Sequence, residues 1–354
     1  MKRMKRVVYV VENTQNAQFR YRVKNIAEAA TKTGWNVDWV LETKLDEEDF
    51  SNVDLVVILR QTDKDGVIGR LIKRLHSIGV KVFFDLDDLV FDYRDLMVLM
   101  DSIGSKNVVY WLGYIMGIRR IAKKVDGFIC TNEFLAGKLR RSFGKRVEVI
   151  RNSLNKEQVE VSKKCLSEKK HKGFVIGYFS GSPTHSKDLA MIEPDLVRFL
   201  KEHDNVTMML VGYMKLSKEM QELVDLGRVE RIKMVHFLDL QQLMARVDIS
   251  IAPLRINDFT NCKSELKYFE AGIVETATIA SPNYSFRMAI DNGKNGLLAK
   301  PDEWYDKIKF VYENPDGRRE MALAAKKCAL ECYFGKQFLD EVEKVLNNLE
   351  GYAV

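Results

Sequence analysis

Short runs of β-branched and aromatic residues alternate with stretches of helical spacing along the whole chain, and the alternation runs its course twice. The first half reads as strands over 7–11, 37–41, 55–59, 80–85, 127–130 and 147–150, with helices over 20–33, 67–77, 108–124 and 133–143. Gly34 and Gly79 follow two of these helices, where a left-handed cap favours glycine. The second half starts afresh with strands over 174–179, 207–211, 232–237, 249–252, 277–280 and 297–299. Its helices read as 186–202, 215–226, 240–246, 264–273, 304–312, 317–331 and 336–349. Strand–helix alternation of this kind predicts parallel sheets with helices on both faces. The expected class is therefore α/β, with two doubly wound Rossmann-like domains facing across a cleft. Ligands of such sheets bind beyond the carboxyl ends of the strands, so the loops there hold the functional candidates.

A length of 354 residues agrees with two domains. The polar, lysine-rich stretch 154–172 has no apolar strand and reads as a linker. That places one domain over 1–153, a second over 173–335 and a closing helix over 336–354. The net charge of +6 is uneven. Residues 1–152 hold 27 basic against 20 acidic side chains, and residues 153–354 hold 29 against 30. The excess concentrates between Arg119 and Arg146, where nine basic residues stand against Asp126 and Glu133. Just upstream, residues 108–118 carry Tyr110, Trp111, Tyr114 and Met116. Apolar aromatics beside a basic run suit an anionic membrane surface, and a core helix with a basic end is the rival reading. That apolar run is too short to span a bilayer. The basic start is followed by an apolar stretch that stops at Glu12, too soon for a signal sequence. The expectation is a cytoplasmic protein that can lie on the inner face of the cell membrane. Five cysteines, at 130, 165, 262, 328 and 332, show no CxxC, so neither a disulfide framework nor a zinc site is expected.

Three segments carry chemistry. Gly177-Tyr-Phe-Ser-Gly-Ser-Pro-Thr-His-Ser-Lys-Asp188 leaves a strand and enters a helix. Small residues Ser180, Gly181 and Ser182 let a phosphate approach the backbone, and His185 and Lys187 add positive charge or hydrogen bonds. Neither dinucleotide nor P-loop fingerprint is present. Farther on, the strand Asp248-Ile-Ser-Ile-Ala-Pro253 leads through a loop to Lys263-Ser-Glu-Leu-Lys-Tyr-Phe-Glu270. Ser264 reads as an N-cap. Lys263 beside a helix start conflicts with the helix dipole unless an anion is bound there. Glu270, among Tyr268, Phe269 and Ala271, needs a hydrogen-bond partner if buried, and could reach a sugar hydroxyl. In the first half, Asp85-Leu-Asp87-Asp88 ends a strand with three carboxylates, an arrangement poorly suited to a core. These fit an acceptor or catalytic site; no metal is expected, with a metal-dependent sugar transferase using Asp85 and Asp87 as the rival reading. Arg20 and Arg22 open the first helix and suit an anion. Asn132, Glu133 and Asn152 stand at strand ends, where simple N-capping is the alternative.

The run KSELKYFEAGIVETATIAS, preceded by DISIAPL and followed by NGKNGLLA, resembles the carboxyl-terminal domain of GT-B glycosyltransferases. The nearest likeness is to the retaining family 4, the "group 1" bacterial polysaccharide enzymes. FFDLDDLVFD and GYFSGSPTHSKD resemble a branch that builds surface polysaccharides. The resemblance implies an acceptor domain followed by a donor domain, with the last helix packing back on the first. Glu270 matches the second Glu of the E-x7-E motif, which holds the donor ribose. The first Glu falls at Cys262 and is missing, as is the arginine of the family's diphosphate pair. By the same resemblance, His236, Phe237 and Leu238 contact the base, and Arg20 and Arg22 lie on the loop that touches acceptor and donor phosphate. Asp87 or Asp88 takes the place of an acceptor-side His.

The resemblance implies a retaining glycosyltransferase. It would pass a sugar from a nucleoside-diphosphate sugar to a glycan or lipid-linked glycan, with no cofactor. Lys263 and the helix starts would stabilise the departing diphosphate. The missing Glu and Arg leave open a non-catalytic subunit of the same fold that binds glycans or stabilises a partner. Nucleic-acid binding is not expected, because the basic patch lacks a recognisable module.

Overall fold

The computed structural model describes residues 3–63, 65–166, 173–181 and 186–351. The chain divides into two compact units. One comprises Met1–Ser153, Asn261–Ser264 and Tyr333–Val354, and the other Leu154–Thr260 and Glu265–Cys332.

The sheet of the first unit contains β1 (Lys5–Val11), β2 (Trp35–Leu41), β3 (Leu55–Leu59), β4 (Lys81–Leu86), β5 (Gly127–Cys130) and β6 (Arg146–Val149). Its order is β2-β1-β3-β4-β5-β6, with every pair parallel. The inner strands β1, β3, β4 and β5 are buried on both faces, which explains their near-continuous apolar sequences. Val7, Tyr9, Val37, Val57 and Phe83 form one core with Phe338, Val342, Val345, Leu346 and Leu349 of the last helix, Lys336–Glu350. Trp35 Nε1 donates to Asn347 Oδ1 at 3.1 Å and Lys5 pairs with Glu350, so this helix is a full member of the first unit.

The second unit repeats the plan with β7 (Phe174–Ser180), β8 (Val206–Gly212), β9 (Val229–Ile232), β10 (Ile249–Ala252), β11 (Ala277–Ala280) and β12 (Leu297–Leu298). The order is β12-β11-β10-β7-β8-β9, again parallel throughout. The chain winds outward from β7 through β8 and β9, then restarts on the other side at β10. The switch of direction between β7 and β10 is where a doubly wound sheet opens a crevice at its carboxyl edge. Gly212 closes β8 with φ +98°. A Cβ there would stand 1.9 Å from the carbonyl oxygen of Ser180, so glycine lets the two strand ends meet.

Four local differences from the sequence reading have physical causes. The stretch 154–172, expected to be a linker, carries the helix Lys156–Cys165. Asn155 caps it in a reciprocal box with Gln158, and Ser162 is hydrogen-bonded to Gln241 in the interior. Strand β9 ends where a strand over 232–237 was expected to begin. His236 instead caps the helix Phe237–Ala245, and β9 is an edge strand with Glu230 and Arg231 exposed, which hid its signal. Leu96–Ile103 forms a helix that the sequence reading left unassigned. Finally, the first helix contains a π turn over Arg20–Lys24, closed by Asn25 N–H donating to Arg20 O.

Candidate functional site

In the first unit the carboxyl ends of β3 and β4 bring charge together. Asp85, the first of the three carboxylates, is fully buried and belongs to the core, against the expectation of an open acidic cluster. Its partner is Arg22, also fully buried, whose Nε and Nη2 donate to the two carboxylate oxygens at 3.0 Å. The remaining Nη1 donates to the carbonyl of Ile150 at 2.5 Å and to Asn152 Oδ1 at 3.2 Å. Burial pushes the Asp85 carboxyl up to about 6, against the pull of Arg22. Arg22 and Asn152 were expected to face an acceptor. They serve instead to tie the first helix to the ends of β4 and β6.

Asp87 and Asp88 lie closer to the surface, and each is held by basic or amide groups. Gln18 Nε2 donates to Asp87 Oδ1 at 2.9 Å, and Arg60 Nε stands 3.2 Å from the same oxygen. Arg60 Nη1 donates to Asp88 Oδ2 at 2.7 Å, and Lys263 Nζ donates to Asp88 Oδ1 at 2.5 Å. Burial alone would raise the Asp88 carboxyl, but Lys263 and Arg60 bring it below its ordinary range. A carboxylate so stabilised is a strong hydrogen-bond acceptor and a weak base. Asn132 caps the helix Glu133–Phe143, and its Nδ2 reaches the carbonyls of Asn261 and Lys263 at 3.3 Å each. Glu133 is exposed and pairs with Arg140 at 3.0 Å. The Arg20 guanidinium lies 4.4 Å from the centre of the Tyr21 ring.

Two sequence arguments are corrected here. Ser264 does not cap a helix, since Leu266–Gly272 begins after Glu265 and has no side-chain cap. The conflict between Lys263 and a helix dipole therefore falls away, and the lysine is engaged by Asp88. Arg60 and Gln18 were missed. The only signal for Arg60 was its place as the first residue after β3.

In the second unit, candidates gather at the switch between β7 and β10. Ser180 ends β7 and is buried, and Gly181 beyond it is exposed. Ser182 and His185 lie outside the described residues. Lys187 is exposed on the short helix Ser186–Ala190, and the buried Asp188 beside it accepts from Arg255 N at 3.0 Å. Glu270 is buried, and its Oε1 accepts from Gln158 Nε2 at 3.3 Å. That supplies the hydrogen-bond partner its burial requires. His236 is exposed at its helix start, with its ring centre 4.3 Å from that of Phe237. Leu238 N–H donates to the His236 ring at 3.5 Å.

Lys267, on the same helix as Glu270, was also missed. Its Nζ is buried and makes no hydrogen bond, and it stands 4.7 Å from the centre of the Tyr178 ring. Burial pushes its ammonium down to about 8, with Asp188 and Glu270 opposing the shift.

Of the nine basic residues between Arg119 and Arg146, six are engaged within the fold, Lys124 with Asp63 and Arg140 with Glu133 among them. Arg119 donates to the Phe91 carbonyl, Lys138 pairs with Asp95, Lys145 binds the carbonyls of Ala122, Lys123 and Val125, and Arg146 pairs with Glu148. Arg120, Lys123, Lys124, Arg140 and Arg141 are exposed. Among the described residues no helix is long and apolar enough to cross a membrane. Likewise, among them no cluster of three or more His, Cys, Asp or Glu could hold a metal ion.

Residues 174–314 match the family described as glycosyl transferases group 1. No curated protein matches the chain closely enough to count as a relative. Among solved structures, Anabaena HepE in complex with UDP and glucose is similar with a TM-score of 0.65 at 14% identity, over 98% of this chain and 100% of that one. Sucrose-phosphate synthase from Thermosynechococcus elongatus gives 0.68 at 13% identity, over 98% and 99%. TarM of S. aureus gives 0.60 at 14% identity, over 88% of this chain and 57% of its own. At such identities the likeness is one of fold. It is the GT-B fold, built of two Rossmann-like domains.

Proposed function

We propose that the chain is a glycosyltransferase whose donor is a nucleoside-diphosphate sugar and whose acceptor is a glycan or lipid-linked glycan; the match of residues 174–314 to the group 1 glycosyl transferases and the GT-B fold support this reading. The observation that carries the reading is the position of the switch point. It falls at the ends of β7 and β10, inside the stretch that matches the family, with Ser180 and Gly181 at its edge and Glu270 buried nearby. HepE, similar in fold over nearly the whole chain, holds UDP, so a uridine nucleotide is the first donor to test.

In this reading the second unit holds the donor. Ser180, Gly181, Ser182, His185 and Lys187 lie along the phosphates, Glu270 takes the ribose, and His236, Phe237 and Leu238 flank the base. The first unit presents Asp87 and Asp88 to the acceptor, with Arg20, Asn132 and Glu133 around them. Asp88, depressed by Lys263 and Arg60, holds an acceptor hydroxyl rather than deprotonating it. The bond from the anomeric carbon to the β-phosphate oxygen breaks, and the electron pair leaves with the diphosphate. The acceptor oxygen bonds to the same face of that carbon, and its proton passes to the departing phosphate oxygen. Configuration is retained without an enzyme nucleophile. The exposed apolar and basic faces of the first unit suit an acceptor delivered at a membrane surface, as in surface-polysaccharide or glycoconjugate synthesis.

A second reading is a non-catalytic subunit of the same fold. Two observations favour it: buried Cys262 stands where a donor-site Glu is usual, and Lys263 is engaged by Asp88. A thermal-shift panel with UDP, GDP, ADP, dTDP and CMP separates the two. A nucleotide at ~100 times its dissociation constant adds ~2.7 kcal/mol of stability. One diphosphate raising the melting temperature is the expected result. No shift with any of them at millimolar concentration would remove the donor site and leave the subunit reading.

A further inference from the structure

We propose that Lys267 supplies the cation that meets the donor's diphosphate, a role for which the sequence had pointed to Lys263. The inference rests on the donor reading above and deepens it.

Lys267 lies on Leu266–Gly272 and carries three N–H donors on a buried Nζ, none of them used by any described residue. An amine that served only the fold would have a carboxylate or carbonyl within reach, since a buried, unsatisfied donor is costly. Among the described residues it is met instead by a soft contact, the face of Tyr178. Tyr178 sits two residues before the end of β7, so the ammonium is at the switch point, where this sheet opens at its carboxyl edge.

The neighbouring charges explain why the site is incomplete. Asp188, from the helix after β7, and Glu270, from the same helix as Lys267, both act on the ammonium through space. Among the described residues neither forms an ion pair with it. Asp188 is turned to the backbone of Arg255, whose Nε lies 3.9 Å from its Oδ1, and Glu270 is turned to Gln158. His185 lies outside the described residues. Among the described residues, the groups facing Lys267 are Tyr178, Asp188 with Arg255 behind it, and Glu270 with Gln158 behind it. A diphosphate would give the ammonium the oxygen atoms it lacks. Lys263 is not available for this while it is bound to Asp88.

An ammonium held near pH 8 when empty becomes fully protonated beside a diphosphate, so binding must take up a proton. The test is isothermal titration calorimetry with UDP and, separately, inorganic pyrophosphate, at pH 8.5 in buffers of different ionisation enthalpy. At that pH the terminal phosphate of UDP is already ionised, so uptake reports on the protein. The expected result is net proton uptake by the wild type, at least tenfold weaker UDP binding without uptake for Lys267→Met, and binding without uptake for Lys267→Arg. Wild type and Lys267→Met binding UDP with equal affinity and equal uptake would overturn the assignment and leave the donor reading standing. If neither UDP nor any other diphosphate of the thermal-shift panel binds the wild type, the donor reading fails first and takes this inference with it.

Discussion

Lys267 carries a charge that the empty fold would be more stable without. Keeping its ammonium protonated at pH 7, when burial has moved it from 10.5 to about 8, costs ~3 kcal/mol. Lys267→Met keeps the stem against Tyr178 and removes that cost. The ligand-free variant should therefore melt several degrees above the wild type at pH 7. The folded state lowers this group's affinity for protons, so between pH 8 and 10.5 the unfolded chain binds more of them. Wild-type stability then rises with pH relative to the variant, and the gap should close towards pH 10.5. Melting curves of both proteins at pH 7, 8.5 and 10 check this. A variant less stable than the wild type at pH 7 would show that the lysine is structural. At this scale the sequence was only partly legible. Arg20 and Arg22 both looked like anion ligands, and nothing in their identity says that the π turn buries Arg22 against Asp85. Lys263 was singled out for its place before a helix, yet its partner is 175 residues away in the chain. Pairings of that range depend on tertiary structure, which local patterns do not encode.

The helix Val108–Ala122 shows what an element adds to its residues. Val109, Leu112, Met116, Arg120 and Lys123 follow one another at spacings of three and four, which places them on a single stripe. All five are exposed, Val109 at 81%. The stripe is apolar at its start and basic at its end, a surface that suits the boundary of an anionic membrane. Co-sedimentation with vesicles of phosphatidylcholine and phosphatidylglycerol should capture the protein, and 0.5 M salt should weaken the binding. Val109→Glu with Leu112→Glu should release it without altering the melting temperature. Equal binding to vesicles of phosphatidylcholine alone, or none to either, would leave the stripe without this role. The helix itself was legible because its apolar and basic residues repeat at helical spacing. Lys156–Cys165 was not, because its signal is a cap, Asn155 with Gln158, on a sequence otherwise rich in charge. Strand β9 failed for a related reason: an edge strand with only two apolar residues competes poorly with the Val235-His-Phe run beside it.

At the scale of the whole molecule, the two parallel sheets were the clearest part of the sequence. Strands covered by helices on both faces must be apolar throughout, and runs such as Leu55–Leu59 leave little else to choose. The order of the strands is a separate matter, set by crossovers that composition does not record. The last helix contributes five buried apolar side chains to the first core. At 1.5–3 kcal/mol each, that is roughly 7–15 kcal/mol, comparable with the entire stability of a domain. A chain ending at Gly335 should therefore lose the calorimetric transition of the first unit, and an unchanged heat-capacity profile would contradict this account.

The route by which the chain leaves the first sheet has a practical corollary. Asn152, Ser153, Leu154 and Asn155 are all buried. Asn25 donates to the Ser153 carbonyl at 2.6 Å, and Arg151 just before them is paired with Glu341 and stacked near Tyr333. A protease needs loose, exposed chain, and this passage offers none. Trypsin should therefore leave the Arg151–Asn152 bond intact in the native protein, so that cleavage there becomes a clock for unfolding of the first unit.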